Sequence, residues 1–199
     1  MIDNINLIKP LLTFDNEGEF YMLYIFKRKK DQTTDKANHQ SVRTIKTYCI
    51  GSIEQLEKRY DEIIQLCEMF KARAYIHIQK QNHKDVAMNM ITEIVNRIQS
   101  GQINQQHVFD SVVGQIKTQE KRWIVDIDSK ENGIENLISN EIHMLRPEGP
   151  KIEAVIPTKS GFHLITKRFD VMEFKKKYPE IDIQKKNPTL LYYPSSIND

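Results

Sequence analysis

Hydrophobic positions along this chain switch between a step of two and a step of three or four, and the switches mark its elements. Residues 20–26 are an unbroken aromatic and aliphatic run, which predicts a buried strand. The polar stretch 31–41 reads as a mobile loop, and residues 43–50 resume a strand, so 20–50 predicts a hairpin with a long tip. Ser52 is placed to cap a helix, and Gln55 completes a capping box. Beyond it Ile53, Leu56, Tyr60, Ile63, Cys67 and Phe70 recur at helical spacing. Over 73–79, Ala74, Ile76 and Ile78 alternate with Tyr75 and His77, as in a half-buried strand. A second helix is predicted from about Lys84 to Gln99, with Val86, Met90, Ile94, Val95 and Ile98 facing inward and Gly101 ending it. The polar stretch 101–107 is a junction.

The last third is the most regular. A strand over 122–128 leads to a helix over 132–145, spaced through Ile134, Leu137, Ile138 and Leu145. Arg146-Pro147-Glu148-Gly149-Pro150 breaks that helix. Two short strands, 152–157 and 161–167, flank the hairpin-sized gap Thr158-Lys159-Ser160. A basic helix over 170–178 takes Asp170 as its cap, and 189–193 is the final strand. The order βαββαβ is the split ferredoxin-like or RRM-like plan. The fold expected is therefore α+β: an N-terminal α/β module over 1–110 packing on an RRM-like, metal-binding module over 111–199.

Composition narrows the class. With 39% hydrophobic and 28% charged residues the chain reads as an ordinary globular protein. No apolar run approaches the roughly 20 residues that span a bilayer, and the N-terminus carries acids where a signal peptide carries bases. A cytoplasmic protein with no membrane partner is expected. Cys49 and Cys67, without a CxxC, exclude the usual cysteine-based zinc site. Cys67 falls on an apolar helical stripe and reads as a buried structural thiol. The net charge of +2 is too small to point to nucleic acid, although 150–199 holds nine basic residues against six acidic ones. The run Lys27-Arg28-Lys29-Lys30 is the other basic segment, and each alone reads as a solvated face.

The chemistry lies in Trp123-Ile124-Val125-Asp126-Ile127-Asp128. Strand side chains alternate faces, so Asp126 and Asp128 point one way while Trp123, Val125 and Ile127 point into the core. Two carboxylates about 6.5 Å apart on one strand repel unless a cation lies between them. Mg²⁺ or Mn²⁺ suits such a pair, because both take oxygen ligands and keep positions open for phosphates. In the ferredoxin-like order the first and third strands are neighbours. Phe162 and Leu164 then face the helices, and His163 falls on the open face beside the carboxylates.

At these residues the chain resembles the archaeo-eukaryotic primase superfamily, primase–polymerases included. WIVDIDSKENG is similar to its hydrophobic-Asp-x-Asp first motif, and IPTKSGFHLI to its Ser-Gly-x-His second motif. The third motif, a hydrophobic residue followed by an acid, is matched best by Ile181-Asp182; Phe169-Asp170 is a poorer match, because helix capping already explains Asp170. The resemblance covers about 122–194. It implies a nucleotidyltransferase joining nucleotides on a nucleic-acid template in DNA replication, of the small stand-alone kind a phage or plasmid encodes. Asp126, Asp128 and Asp182 would hold two metals that align a primer 3′-hydroxyl with the α-phosphate of a nucleoside triphosphate. Lys159, Ser160, Gly161, His163, Lys167 and Arg168 would hold that nucleotide, and single-stranded or primed nucleic acid would be the other partner. The chain departs from the family in three ways: residues 187–194 have no Arg, there is no zinc-binding element, and no GxxxxGK[ST] loop is present, which leaves any replicative helicase to a separate protein.

Two other readings belong to different classes. A non-catalytic RRM-like module would need exposed aromatics on its central strands, where this sequence puts Asp126, Asp128 and His163. A metal-dependent nuclease would use the same carboxylates and histidine for hydrolysis.

Overall fold

A computed structural model describes residues 1–28, 42–102, 104, 107–115, 121–195 and 197. The described residues form an α+β molecule with two antiparallel sheets and six α-helices. In chain order they are β1 (Ile2–Asp3), α1 (Ile5–Ile8), β2 (Glu19–Lys27), β3 (Arg43–Ile50), α2 (Ile53–Phe70), β4 (Arg73–Ile76), β5 (Gln81–Asn82) and α3 (His83–Gln99). Then follow α4 (Val108–Gln115), β6 (Trp123–Ile127), α5 (Ile134–Met144), β7 (Ile152–Pro157), β8 (Phe162–Thr166), α6 (Val171–Lys177), β9 (Asp182–Gln184) and β10 (Thr189–Tyr193). None of the helices is long and apolar enough to cross a membrane.

The helix starts follow from local capping. The Ser52 hydroxyl accepts the Gln55 N–H at 3.1 Å while the Gln55 side chain accepts the Gly51 N–H at 2.6 Å, a reciprocal pair that fixes the start of α2. Asp170 caps α6 by accepting the Glu173 N–H at 3.0 Å. The loop expected over 31–41 lies outside the described residues.

The large sheet has the order β1-β10-β4-β2-β3, with β5 added to β2; the small sheet has the order β7-β8-β6-β9. The expectation for 189–193 is therefore corrected. This strand does not close the small sheet but enters the large one, pairing with β4 and β1, and the small sheet is closed by β9, which the pattern did not mark. A division at residue 110 thus does not coincide with the division into sheets.

Period-two alternation sorts the small sheet's faces. Val125, Ile127 and Leu164 pack on α5 and α6 with Ile138, Ile142 and Phe174. Ile124, Ile156 and Ile165 join a second core with Leu23, Ile25, Ile76 and Leu191 of the large sheet and Leu56, Ile63 and Cys67 of α2. Each such residue contributes about 1.5–3 kcal/mol on burial, so the two sheets are held by a common core. Asn4, 1% exposed, ties them further, its amide donating to the carbonyls of Pro157 and Leu190 at 2.9 Å each. The other face of β2 (Phe20, Met22) packs on Val86 of α3 and on Val108, Val112 and Val113 of α4. On α3 the expected inner face is corrected in part. Val86, Met90 and Ile94 pack inward, whereas Val95 and Ile98 are 45% and 62% exposed and share an outward stripe with Met88 and Ile91.

Candidate functional site

Three neighbouring strands bring the candidate residues together. Asp126 on β6 stands opposite His163 of β8 on one side and opposite Asp182 of β9 on the other. All three fall on the face that carries Ile124 and Ile165, one step beyond the shared core. Asp128 follows the end of β6 and is exposed. The turn between β7 and β8 is fixed by the Thr158 N–H donating to the Gly161 carbonyl at 2.8 Å and the Gly161 N–H donating to the Thr158 hydroxyl at 3.1 Å.

These elements surround a cavity of about 260 Å³ lined in part by Asp126, Asp128, Lys159, Ser160 and His163. Asp182 lies beside it, linked through Gln184, whose amide donates to one oxygen of Asp126 and one of Asp182, both at 3.1 Å. Like charges directly opposite on paired strands repel, and this amide sits where it offsets that repulsion. Gln184 carries no motif, and nothing in the sequence singles it out.

His163 departs from the expected open face. It is 8% exposed, closed over by β10. Its Nδ1 lies 2.9 Å from the Thr189 hydroxyl and its Nε2 lies 3.4 Å from Asp126 Oδ1. With the ring proton on Nε2, the imidazole points it at Asp126 and accepts the Thr189 hydroxyl proton at Nδ1. The histidine is thereby held in one orientation by a residue from the other sheet.

Gly161 has a structural role in this turn. A Cβ built on it would meet the Ile127 carbonyl oxygen at 1.9 Å and Ser129 backbone atoms at 2.7 and 2.8 Å. The space its missing side chain leaves is filled by the backbone segment that presents Asp128. Lys167 and Arg168 are not brought to the cavity. They are exposed beyond Thr166, at the end of β8 that pairs with Trp123 rather than with Ile127.

The donor set has the chemistry of a hard-cation site, since three carboxylates supply only oxygen. Asp126 meets His163 and Gln184 with its two oxygens, and among the described residues no three His, Cys, Asp or Glu side chains converge as a ready cage. Asp128 and Asp182 are exposed, and Asp126 is half-buried.

The pattern missed part of the cavity's lining. Phe26, Arg73 and Tyr75 are brought to it by the antiparallel pairing of β2 with β4, and Arg28 follows the end of β2. No family model matches this chain, and neither a curated protein nor a solved structure matches it.

Proposed function

We propose that the protein is a primase–polymerase-like nucleotidyltransferase that works in the cytoplasm on nucleoside triphosphates and single-stranded or primed nucleic acid. The observation that carries this reading is the register around Asp126: His163 directly across on one neighbour, Asp182 directly across on the other, at a cavity with Lys159 and Ser160 on its rim. The strand order β7-β8-β6-β9 with its two helices supports an RRM-like arrangement for this half of the chain. Asp126, Asp128 and Asp182 are the residues that would hold Mg²⁺ or Mn²⁺. When bound, such ions neutralise phosphate charge and orient the attacking and leaving oxygens.

The chain's own groups supply the rest. Lys159 brings positive charge to the rim, and Ser160 a hydroxyl that can donate to a phosphate oxygen. Thr189 holds the His163 ring so that Nε2 stays on the side of the carboxylates.

A binding module of the RRM type is disfavoured by one observation. The face of β6 and β8 that would read bases carries Ile124, Asp126, His163 and Ile165, with no Phe, Tyr or Trp; its histidine is buried and its isoleucines pack against the large sheet. Calorimetry tests the proposal. Wild type binds Mn²⁺ together with a nucleoside triphosphate, and Asp126→Ala loses the metal-dependent part. Equal binding by both overturns it.

A further inference from the structure

The large sheet adds lining residues of a different chemistry to the cavity. Phe26 pairs with Arg73 and Tyr24 with Tyr75 across β2 and β4, so Phe26, Arg73 and Tyr75 share one face. The rings of Phe26 and Tyr75 are stacked, 4.7 Å between centroids and 6° between planes. Leu190 and Tyr193 pack beside the pair and support it. Phe26 stays half-buried, and both rings line the cavity together with Arg28 and Arg73. The guanidinium of Arg73 lies 4.7 Å from the centre of the Tyr193 ring, which fixes its plane.

The lining therefore combines carboxylates with a flat aromatic pair beside the exposed Arg28. A ligand satisfying it has an anionic part, joined to the carboxylates through a divalent cation, and a planar π part. Nucleobases stack on aromatic side chains whatever their sequence, and arginines beside such a platform take the phosphates. We infer that the Phe26–Tyr75 pair is a stacking platform for a nucleobase, with the exposed Arg28 on the phosphate side and the buried Arg73 bracing the platform. The base belongs to the incoming nucleotide or to a bound strand; the chemistry is the same. This inference rests on the reading of the cavity as a nucleotidyl-transfer site.

The test compares base-bearing ligands with base-free ones, using the full chain with Mn²⁺. A nucleoside triphosphate is set against inorganic tripolyphosphate, and a short oligothymidylate against its abasic counterpart. At least one base-bearing ligand binds about tenfold more tightly than its base-free partner, within the range of base–aromatic stacking. The half-buried position makes Phe26→Leu the variant of choice, and it reduces that ratio toward one while leaving tripolyphosphate binding unchanged. A ratio confined to the triphosphate pair assigns the platform to the incoming nucleotide, and one confined to the oligonucleotides assigns it to the strand. Equal affinity within both pairs in wild type overturns the platform and leaves the metal-site reading standing. Absence of binding to all four ligands overturns both. The wild-type comparison decides the question even if Phe26→Leu does not fold.

Discussion

His163 and Asp126 stand directly opposite each other on β8 and β6, with imidazole Nε2 3.4 Å from carboxylate Oδ1. Thr189, from a strand of the other sheet, occupies the second ring nitrogen at 2.9 Å. The histidine is thus positioned by both sheets at once. His163→Ala is expected to weaken nucleoside triphosphate binding with Mn²⁺ by about 1.5–3 kcal/mol, the range for a hydrogen bond to a charged group. Thr189→Val weakens it in the same direction and by less. Titration calorimetry checks both, and unchanged affinity in His163→Ala removes the residue from the site.

Gly161→Ala is expected to lower stability by about 2 kcal/mol or more, because a Cβ 1.9 Å from the Ile127 carbonyl forces the β8 turn and the Asp128 segment apart. Urea unfolding measures the loss. A variant as stable as wild type shows that the backbone there gives way freely.

Much of this arrangement was legible in the chain, and the failures have physical causes. Period-two alternation around Asp126 and the hairpin gap at Thr158-Lys159-Ser160 located β6, β7 and β8, because each strand packs one face on helices and the other on the second sheet. Thr189-Leu190-Leu191-Tyr192-Tyr193 is buried at all five positions. A strand apolar on both faces carries no mark of which sheet it joins. β9 is three residues long, too short for a period. The close approach of the Ile127–Ser129 backbone to Gly161 joins segments about 30 residues apart and leaves no local pattern. The aromatic wall depends on the pairing of β2 with β4, which local pattern cannot report.

The phase of α3 is a further case, since apolar residues occur on two of its sides. Val86 is 2% exposed against the large sheet, whereas Ile98 is 62% exposed. Val86→Ala is expected to cost about 1–2 kcal/mol and Ile98→Gln less than about 0.5 kcal/mol. Chemical denaturation of the two variants settles the helix's orientation, and the reverse ranking contradicts it.

Lys151 is 3% exposed, and its ammonium donates to the carbonyls of Ile142 at 2.9 Å and of His143 and Gly149 at 3.1 Å each. Lys151→Met leaves these carbonyls at the end of α5 without that donor. Such a loss costs about 1–3 kcal/mol. The variant is expected to melt lower while binding nucleotide as wild type does. A melting temperature equal to that of wild type overturns this role.

His77 carries a pH dependence. Burial pushes its imidazole down to about 4, while an unfolded histidine titrates near 6.5, at about its unperturbed value. Between those values the unfolded chain binds the extra proton. Stability is therefore full above about pH 6.5 and falls as pH drops toward 4, by up to roughly 3 kcal/mol. His77→Gln is expected to flatten that slope when unfolding is followed across the window. An unchanged slope assigns the dependence to other groups.

Incubating the protein with a labelled primed template and Mn²⁺, with and without nucleotides, tests nucleotidyl transfer at Asp126. A product longer than the primer is expected, one that requires nucleotides and is lost in Asp126→Ala. Shortening of the labelled strand irrespective of nucleotides, or extension that survives in Asp126→Ala, contradicts it.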